Sequence, residues 1–352
     1  MGDVTRARSP AWPITLATVL VLGLIVLMRR SPTPMGDDPL LACPSSSFLI
    51  ARVDLAALRK SALGEAVDPL LRALLPVPKA MEGCALEPAW VQSLALAVPS
   101  GDDRTDLGLA LRVVASRNEL ERCQAALTRH ASTAKDAGSE RYHGFELMNV
   151  GDARADTLGA APNGLVLLAP RPWARTMAEA VSAPQLSAAT AGPHHVPRAL
   201  TGGPPPTLFV SVVLSAATRE RVRAELAREE GGRAPEAGGR KAEARDEGRT
   251  MASVLAVGSA SLSLVVAEET DAELRLFCDT ANACADVGRL WDKKRGVWSQ
   301  SPVVKLLGLG PLVDGLTATE AGQTLLIRAR IPTLSLKSAV ERALAFRRMK
   351  TE

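Results

Sequence analysis

The sequence predicts an α+β protein in which an N-terminal transmembrane helix is followed by two related halves, each a mostly antiparallel sheet with helices packed on one face. Three observations carry that expectation. An uncharged run from Pro13 to Met28 is bounded by Arg6 and Arg8 before it and by Arg29 and Arg30 after it. Beyond it, short apolar and alternating runs are separated by polar turns and helix-like stretches, the mixture that packs helices against a sheet. That order of segments restarts after a Pro- and Gly-rich stretch at 184–206.

A bilayer core takes roughly 17–25 apolar residues in helical form. With Ala11 and Trp12 the apolar run reaches the lower end of that range, and Trp12 stands where an interfacial aromatic is expected. A cleaved signal peptide would need a small-x-small site close behind, and Met28-Arg29-Arg30 is not one. Leu40-Leu41-Ala42-Cys43 looks like a lipid-attachment box, but a polar, Pro-rich stretch separates it from the apolar run. Residues 1–30 therefore read as an uncleaved anchor with 13–28 in the membrane, and 31–46 as an extended spacer. The flanking arginines tie, so orientation rests on the free amino terminus and on the cysteines.

The first half is expected over 47–183. Ser47 to Val53 reads as a strand, and Asp54 as the N-cap of a short helix through Arg59. A second helix is expected from Leu63 to Leu75, ended by Pro76 and Pro78. Val91–Val98 and Leu107–Val114 form a hairpin about a polar turn, with Leu94 and Leu96 on one face. Ser116 and Glu119 make a capping box for a helix to His130. A tight strand pair at 141–147, a strand at 164–169 and a helix from Trp173 to Val181 complete the half.

The linker at 184–206 holds Pro204, Pro205 and Pro206 among other breakers. The second half, 207–348, repeats the order. Thr207 to Val213 is a strand, and Ala216, Ala217 and Arg219 fall where Ala56, Ala57 and Arg59 fall in the first half. Ser261–Val266 and Glu273–Cys278 repeat the hairpin, Asn282–Asp292 a helix, and Thr324–Ala329 with Leu336–Phe346 the closing strand and helix. Matching order and a common offset point to an internal duplication. A charged, Gly-rich insertion at 228–249 has no large apolar residue to order it, so it is expected to be mobile.

Composition excludes some classes. The net charge of +4 is small and dispersed, and aromatics are 3%, so the clustered bases and stacking rings of a nucleic-acid binder are lacking. The five cysteines are Cys43, Cys84, Cys123, Cys278 and Cys284. None has C-x-x-C spacing, which leaves zinc and thioredoxin-like chemistry without support. A chain reversal brings Cys278 near Cys284, and Cys84 before the hairpin could meet Cys123 on the helix after it. Two bridges and a free Cys43 suit an oxidising compartment; the alternative is five buried thiols.

No motif supplies catalysis. The His194-His195 pair sits in the Pro/Gly linker without a neighbouring carboxylate and reads as solvated loop rather than a metal site. Asp102, Asp103 and Asp106 lack calcium-loop spacing. Gly308-Leu309-Gly310-Pro311 lacks the third glycine of a dinucleotide fingerprint, and Pro311 removes an N–H. Asp54 could be a strand-end acid, but Leu214 occupies the equivalent place, which favours the cap.

With the strand–helix duplication, the FLIARVDLAALRKSALG opening and the CALEPAW…ERC pair, the chain resembles uncharacterised membrane-anchored exported proteins of high-GC, myxobacteria-like bacteria. The resemblance implies an extracytoplasmic α+β fold and no catalytic residues. The expected protein is a single-pass inner-membrane protein with most of its chain in the periplasm. Its expected role is non-enzymatic, binding or scaffolding an unknown envelope protein partner, with no cofactor and no metal. The competing readings are an envelope hydrolase assembled only in three dimensions, and a small-molecule or lipid binder between the halves.

Overall fold

A computed structural model describes residues 36–67, 90–100, 107–114, 139–149, 156–196, 205–232, 255–302, 304 and 310–351. The expected anchor at 13–28, Cys84, Cys123, His130, Asp102, Asp103, Asp106 and most of the 228–249 insertion lie outside these residues. The compact unit begins at Asp37.

Among the described residues the strands are β1 (Ser47–Asp54), β2 (Val91–Pro99), β3 (Gly108–Val113), β4 (Glu140–Tyr142), β5 (Phe145–Asn149), β6 (Asp156–Ala160) and β7 (Leu165–Pro170), then β8 (Leu208–Val213), β9 (Val257–Val266), β10 (Glu269–Cys278), β11 (Thr317–Ala321) and β12 (Thr324–Pro332). The helices are α1 (Leu55–Lys60), α2 (Arg171–Ser182), α3 (Ala216–Gly232), α4 (Ala281–Gln300), α5 (Gly310–Asp314) and α6 (Thr333–Thr351). The protein is α+β, built on a large antiparallel sheet. All twelve strands join one sheet in the order β11-β12-β10-β9-β8-β1-β2-β3-β7-β6-β5-β4.

Two features of this order differ from the expectation. The strands do not form separate sheets: β1 pairs antiparallel with β8, with Ile50 opposite Ser211. Backbone groups that a free edge would leave to water are thereby satisfied within one ladder. The run β1-β2-β3-β7 on one side of this seam is matched by β8-β9-β10-β12 on the other.

Helices also lie on both faces, not one. Residues directly opposite across a ladder share a face. Val53, Leu94 and Leu111 face α1, where Leu55, Leu58 and Val91 make a cluster that Leu336 of α6 joins. On the opposite face, α2 covers Ala97 and Gly108. A Cβ on Gly108 would sit 2.4 Å from the Met177 sulfur and 2.6 Å from Trp173 Nε1, so glycine lets helix and sheet close together. Trp173 Nε1 donates to the Ala97 carbonyl at 3.3 Å. Both faces of β2 and β3 are apolar, through alanines on one and leucines on the other, so each needs a cover.

The expected extended spacer is part of the body from Asp37 onward. Asp38 caps a 3₁₀ turn at Pro39–Ala42 by accepting from the Leu40 N–H, and Leu40 and Ala42 are buried. Ion pairs Asp38–Arg52 at 3.1 Å and Asp37–Arg112 at 2.5 Å fasten the segment to β1 and β3. Apolar side chains at Leu40 and Ala42 win over the polar composition of their neighbours. Asp54 caps α1, accepting from the Ala57 N–H at 2.8 Å. Residues 228–232, assigned to the insertion by composition, continue α3 to Gly232.

Candidate functional site

The face of β9, β10 and β12 opposite α4 carries no helix among the described residues, and beside Val265 and Phe277 it presents serine and charged side chains. In β10 the alternation of Asp271, Glu273 and Arg275 with Ala272, Leu274 and Leu276 sends the charges to one face. In β12, Arg328 and Arg330 alternate with Ile327, Ala329 and Ile331. Register then places opposite charges together: Glu273 is opposite Arg328 and Asp271 opposite Arg330. Arg328 Nε donates to Glu273 at 2.9 Å, and Arg330 Nε to Asp271 at 3.0 Å. Arg275 also binds Glu273, and Glu269 lies 3.6 Å from Arg330. The hydrogen bond from Arg330 to Asp271 raises the guanidinium pKa above its ordinary value.

A groove of about 480 Å³ runs along this array, bounded by Asp271, Glu273, Gly315, Thr317, Arg328 and Arg330. Arg328 and Arg330 are 61% and 70% exposed at the side chain, Glu273 only 20%. Exposed pairs of this kind contribute little to stability, because solvent screens them. They present donors and acceptors at strand spacing, a surface that suits a polar, mixed-charge segment lying along the strands. Among the described residues, no group of three His, Cys, Asp or Glu side chains could hold a metal ion.

A strap formed by 184–196 crosses the same face near the seam. The linker composition predicts solvent exposure for His194, but the ring is fully buried. Its Nε2 donates to the Ser47 carbonyl at 2.9 Å, its Nδ1 lies 3.1 Å from the Ser211 hydroxyl, and that hydroxyl donates to the His194 carbonyl at 3.1 Å. One side chain thus joins β1, β8 and the strap. Burial depresses the His194 pKa. His195, with φ of 46°, stacks on Phe277 of β10 at 3.7 Å between centroids, and burial and then Arg275 depress its pKa too. Serine at 47 and 211 is the signal that sequence reading passed over: small hydroxyls in otherwise apolar strands leave room for a ring and a partner for it.

His143 occupies a left-handed turn residue with φ of 47°, and its Nδ1 is 2.8 Å from the Ser182 hydroxyl. Ser182 donates to the Glu179 carbonyl at 2.9 Å, closing the last turn of α2. The Ser182 hydroxyl is thus shared between the Glu179 carbonyl and His143 Nδ1, the direction of the second contact following the imidazole tautomer. Nearby, Glu140 takes hydrogen bonds from Arg175 at 2.7 Å and Arg171 at 3.0 Å. The Arg175 hydrogen bond holds its pKa down to about 2, against the upward push of desolvation and with help from Arg171.

Cys278 and Cys284 form a disulfide, with α-carbons 5.4 Å apart. It ties the end of β10 to the first turns of α4, which Thr280 caps by accepting from the Ala283 N–H at 3.2 Å. Cys43 is free and fully buried, 3.7 Å from the Leu96 carbonyl, and desolvation drives its pKa far upward. Attaching a lipid there would require pulling Cys43 and its neighbours out of the core. Gly310 and Pro311 open the short α5. No described helix is long and apolar enough to cross a membrane.

No family model and no curated protein matches the chain. Among solved structures it is similar to crystal form I of TP0453, at 12% identity, covering 87% of this chain and 97% of that one with a TM-score of 0.40. A likeness that loose carries nothing over to this chain.

Proposed function

We propose that this chain is a membrane-anchored, extracytoplasmic protein of the cell envelope that binds or scaffolds another protein and performs no chemistry of its own. The helix-free face of β9, β10 and β12 carries the reading. Its opposed rows, Asp271 and Glu273 against Arg330 and Arg328, lie open beside the groove. They gain little stability from each other there. They suit recognition of an extended segment with alternating charge.

The anchor at 13–28 holds the chain in the inner membrane with its body in the periplasm. The Cys278–Cys284 disulfide supports that placement, because such bonds persist where thiols are not kept reduced. The body is two related halves, 47–183 and 207–348, fused edge to edge. The matching runs β1-β2-β3-β7 and β8-β9-β10-β12 support this duplication.

The test is cross-linking of the intact chain in its own membranes, beside Arg328→Gln with Arg330→Gln. Loss of the cross-linked partner, with abundance unchanged, is the expected result. An identical cross-linking pattern in the double variant overturns the assignment of this face. A reporter active only after export, fused after Glu352, checks the topology separately.

A further inference from the structure

The two charged rows on the open face of β10 and β12 share one repeat. Asp271 and Glu273 stand two residues apart on β10, as Arg330 and Arg328 do on β12, so each row spaces its charges by about 7 Å. Within the sheet, Arg328 and Arg330 each donate through Nε. A guanidinium has five N–H donors, and the four on the terminal nitrogens of each arginine have no partner among the described residues. Asp271 in turn accepts through Oδ1 alone, and its side chain is 59% exposed. Both rows therefore keep hydrogen-bonding capacity that the sheet does not use.

The charges of the face balance. On these two strands Glu269, Asp271 and Glu273 stand against Arg275, Arg328 and Arg330. The flanking strands add none. β9 presents Ser259, Ser261, Ser263 and Val265, β11 presents Thr317 and Thr319, and Glu320 lies on the other face, against Gly288 of α4. At the rim, His195 stands on the strap, and Glu268 and Asp314 are exposed in the adjoining turns. A cover for this face must bring carboxylates over Arg328 and Arg330 and, at the same repeat, guanidinium groups over Asp271 and Glu273. The face itself has that pattern. A two-fold axis parallel to the strands, above the boundary of β10 and β12, sets the acid row of one copy over the arginine row of the other, twice. An axis across the strands sets acid over acid, so the pattern selects one orientation.

We propose that the face of β10 and β12 pairs with the same face of a second copy of this chain, the terminal nitrogens of Arg328 and Arg330 in each copy meeting Glu273 and Asp271 of the other. The inference rests on the proposed function in giving this face to a protein partner, and it names that partner. Charge complementarity carries it: the surface is neutral as a whole yet divided into opposite rows, which makes it complementary to itself. The contact is wet and polar, so it is sensitive to salt.

The test uses the full-length chain in detergent micelles, with sedimentation reading the number of chains per particle. Two charge-reversed proteins are compared with the wild type, Asp271→Arg with Glu273→Arg, and Arg328→Glu with Arg330→Glu. The wild type should pair, each reversed protein alone should not, and an equimolar mixture of the two should pair again, because an all-basic face then meets an all-acidic one. In Arg328→Gln the two-fold removes two contacts at once, so the dissociation constant should rise by about fivefold. A wild type that stays single, or pairing retained by either reversed protein alone, overturns the proposal. A photoreactive residue in place of Thr317, beside the groove, keeps the question open to test if a reversed protein does not fold. A cross-linked product of two copies supports the pairing. A product with a different protein overturns it and leaves the proposed function standing, and no product at all counts against both.

Discussion

Replacing His194 by alanine should cost about 3 kcal/mol. The ring is fully buried and supplies the hydrogen bond that the Ser47 carbonyl receives at 2.9 Å. Leaving that acceptor buried and unpaired costs about 1–3 kcal/mol. Loss of roughly 50 Å³ of ring, at roughly 24 cal/mol per Å³ of cavity, adds about 1 kcal/mol. Ser211 retains the residue 194 carbonyl as an acceptor, so it adds little. For a body of this size the melting temperature should fall by about 4–5 °C. His194→Gln, whose amide can still reach the Ser47 carbonyl, should recover part of the loss.

The pH dependence sharpens the test. His194 and His195 both titrate below 6.5 when folded. The unfolded chain therefore takes up protons first as pH falls, and stability is complete above 6.5 and declines as pH drops below it. His194→Ala should flatten that decline. Urea unfolding of the wild type and both variants across this range reads all three effects. Equal midpoints for wild type and His194→Ala, or wild-type stability that rises as pH falls below 6.5, would refute a structural role for the buried ring.

Three further outcomes are expected. Gly164→Ala should lose at least about 2 kcal/mol, because φ is +83° and its Cβ would lie 2.5 Å from the Val113 carbonyl oxygen, whereas Gly296→Ala, in open helix, should gain up to about 1 kcal/mol. Urea midpoints compare them, and equal effects would contradict the local geometry. Removing Cys278 and Cys284 together should cost about 2 kcal/mol, the value of so short a closed loop; reactive thiols in protein isolated without reductant would show that the bridge does not form. Glu140 contributes stability above its ordinary value of 4.5, and that contribution is lost as pH falls from there toward about 2. In Arg175→Met its titration, followed by NMR, should move upward, and an unmoved titration would show that the pair does not form in solution.

Periodicity made much of the fold readable. β1, the β2–β3 hairpin, β7, β8 and β12 stand where alternating or continuous apolar runs put them, and Asp54 caps α1 as its position implies. β6 was silent because Asp-Thr-Leu-Gly-Ala has no run of large residues. Its glycine is needed because a Cβ at Gly159 would lie 2.8 Å from a Leu147 methyl. The pairing of β1 with β8 lies beyond local sequence, since nothing within either strand names its neighbour. The charged face was legible in principle. Asp271-Ala-Glu273-Leu-Arg275 and Arg328-Ala-Arg330 alternate visibly, but only the register shows that acids meet bases. Burial of the strap is not legible in its sequence: proline and glycine content speaks for turns and says nothing of burial, which His194 gains from the seam.

The seam also sets an order of events. β1 acquires β2 as soon as the first hairpin has formed, yet its other side waits for β8, since Ile50 pairs with Ser211 far along the chain. A chain that emerges from its amino end therefore shows an unsatisfied strand edge through the whole passage of the first half. The strap at 184–196 leaves the ribosome or translocon just before β8. Its His194 then reaches Ser47 and Ser211 together, so closure of the seam and docking of the strap become one step. Slow arrival of residues 207–213 would lengthen the interval in which another copy's strand could take that place, which makes the rate of delivery a determinant of yield as much as the final stability.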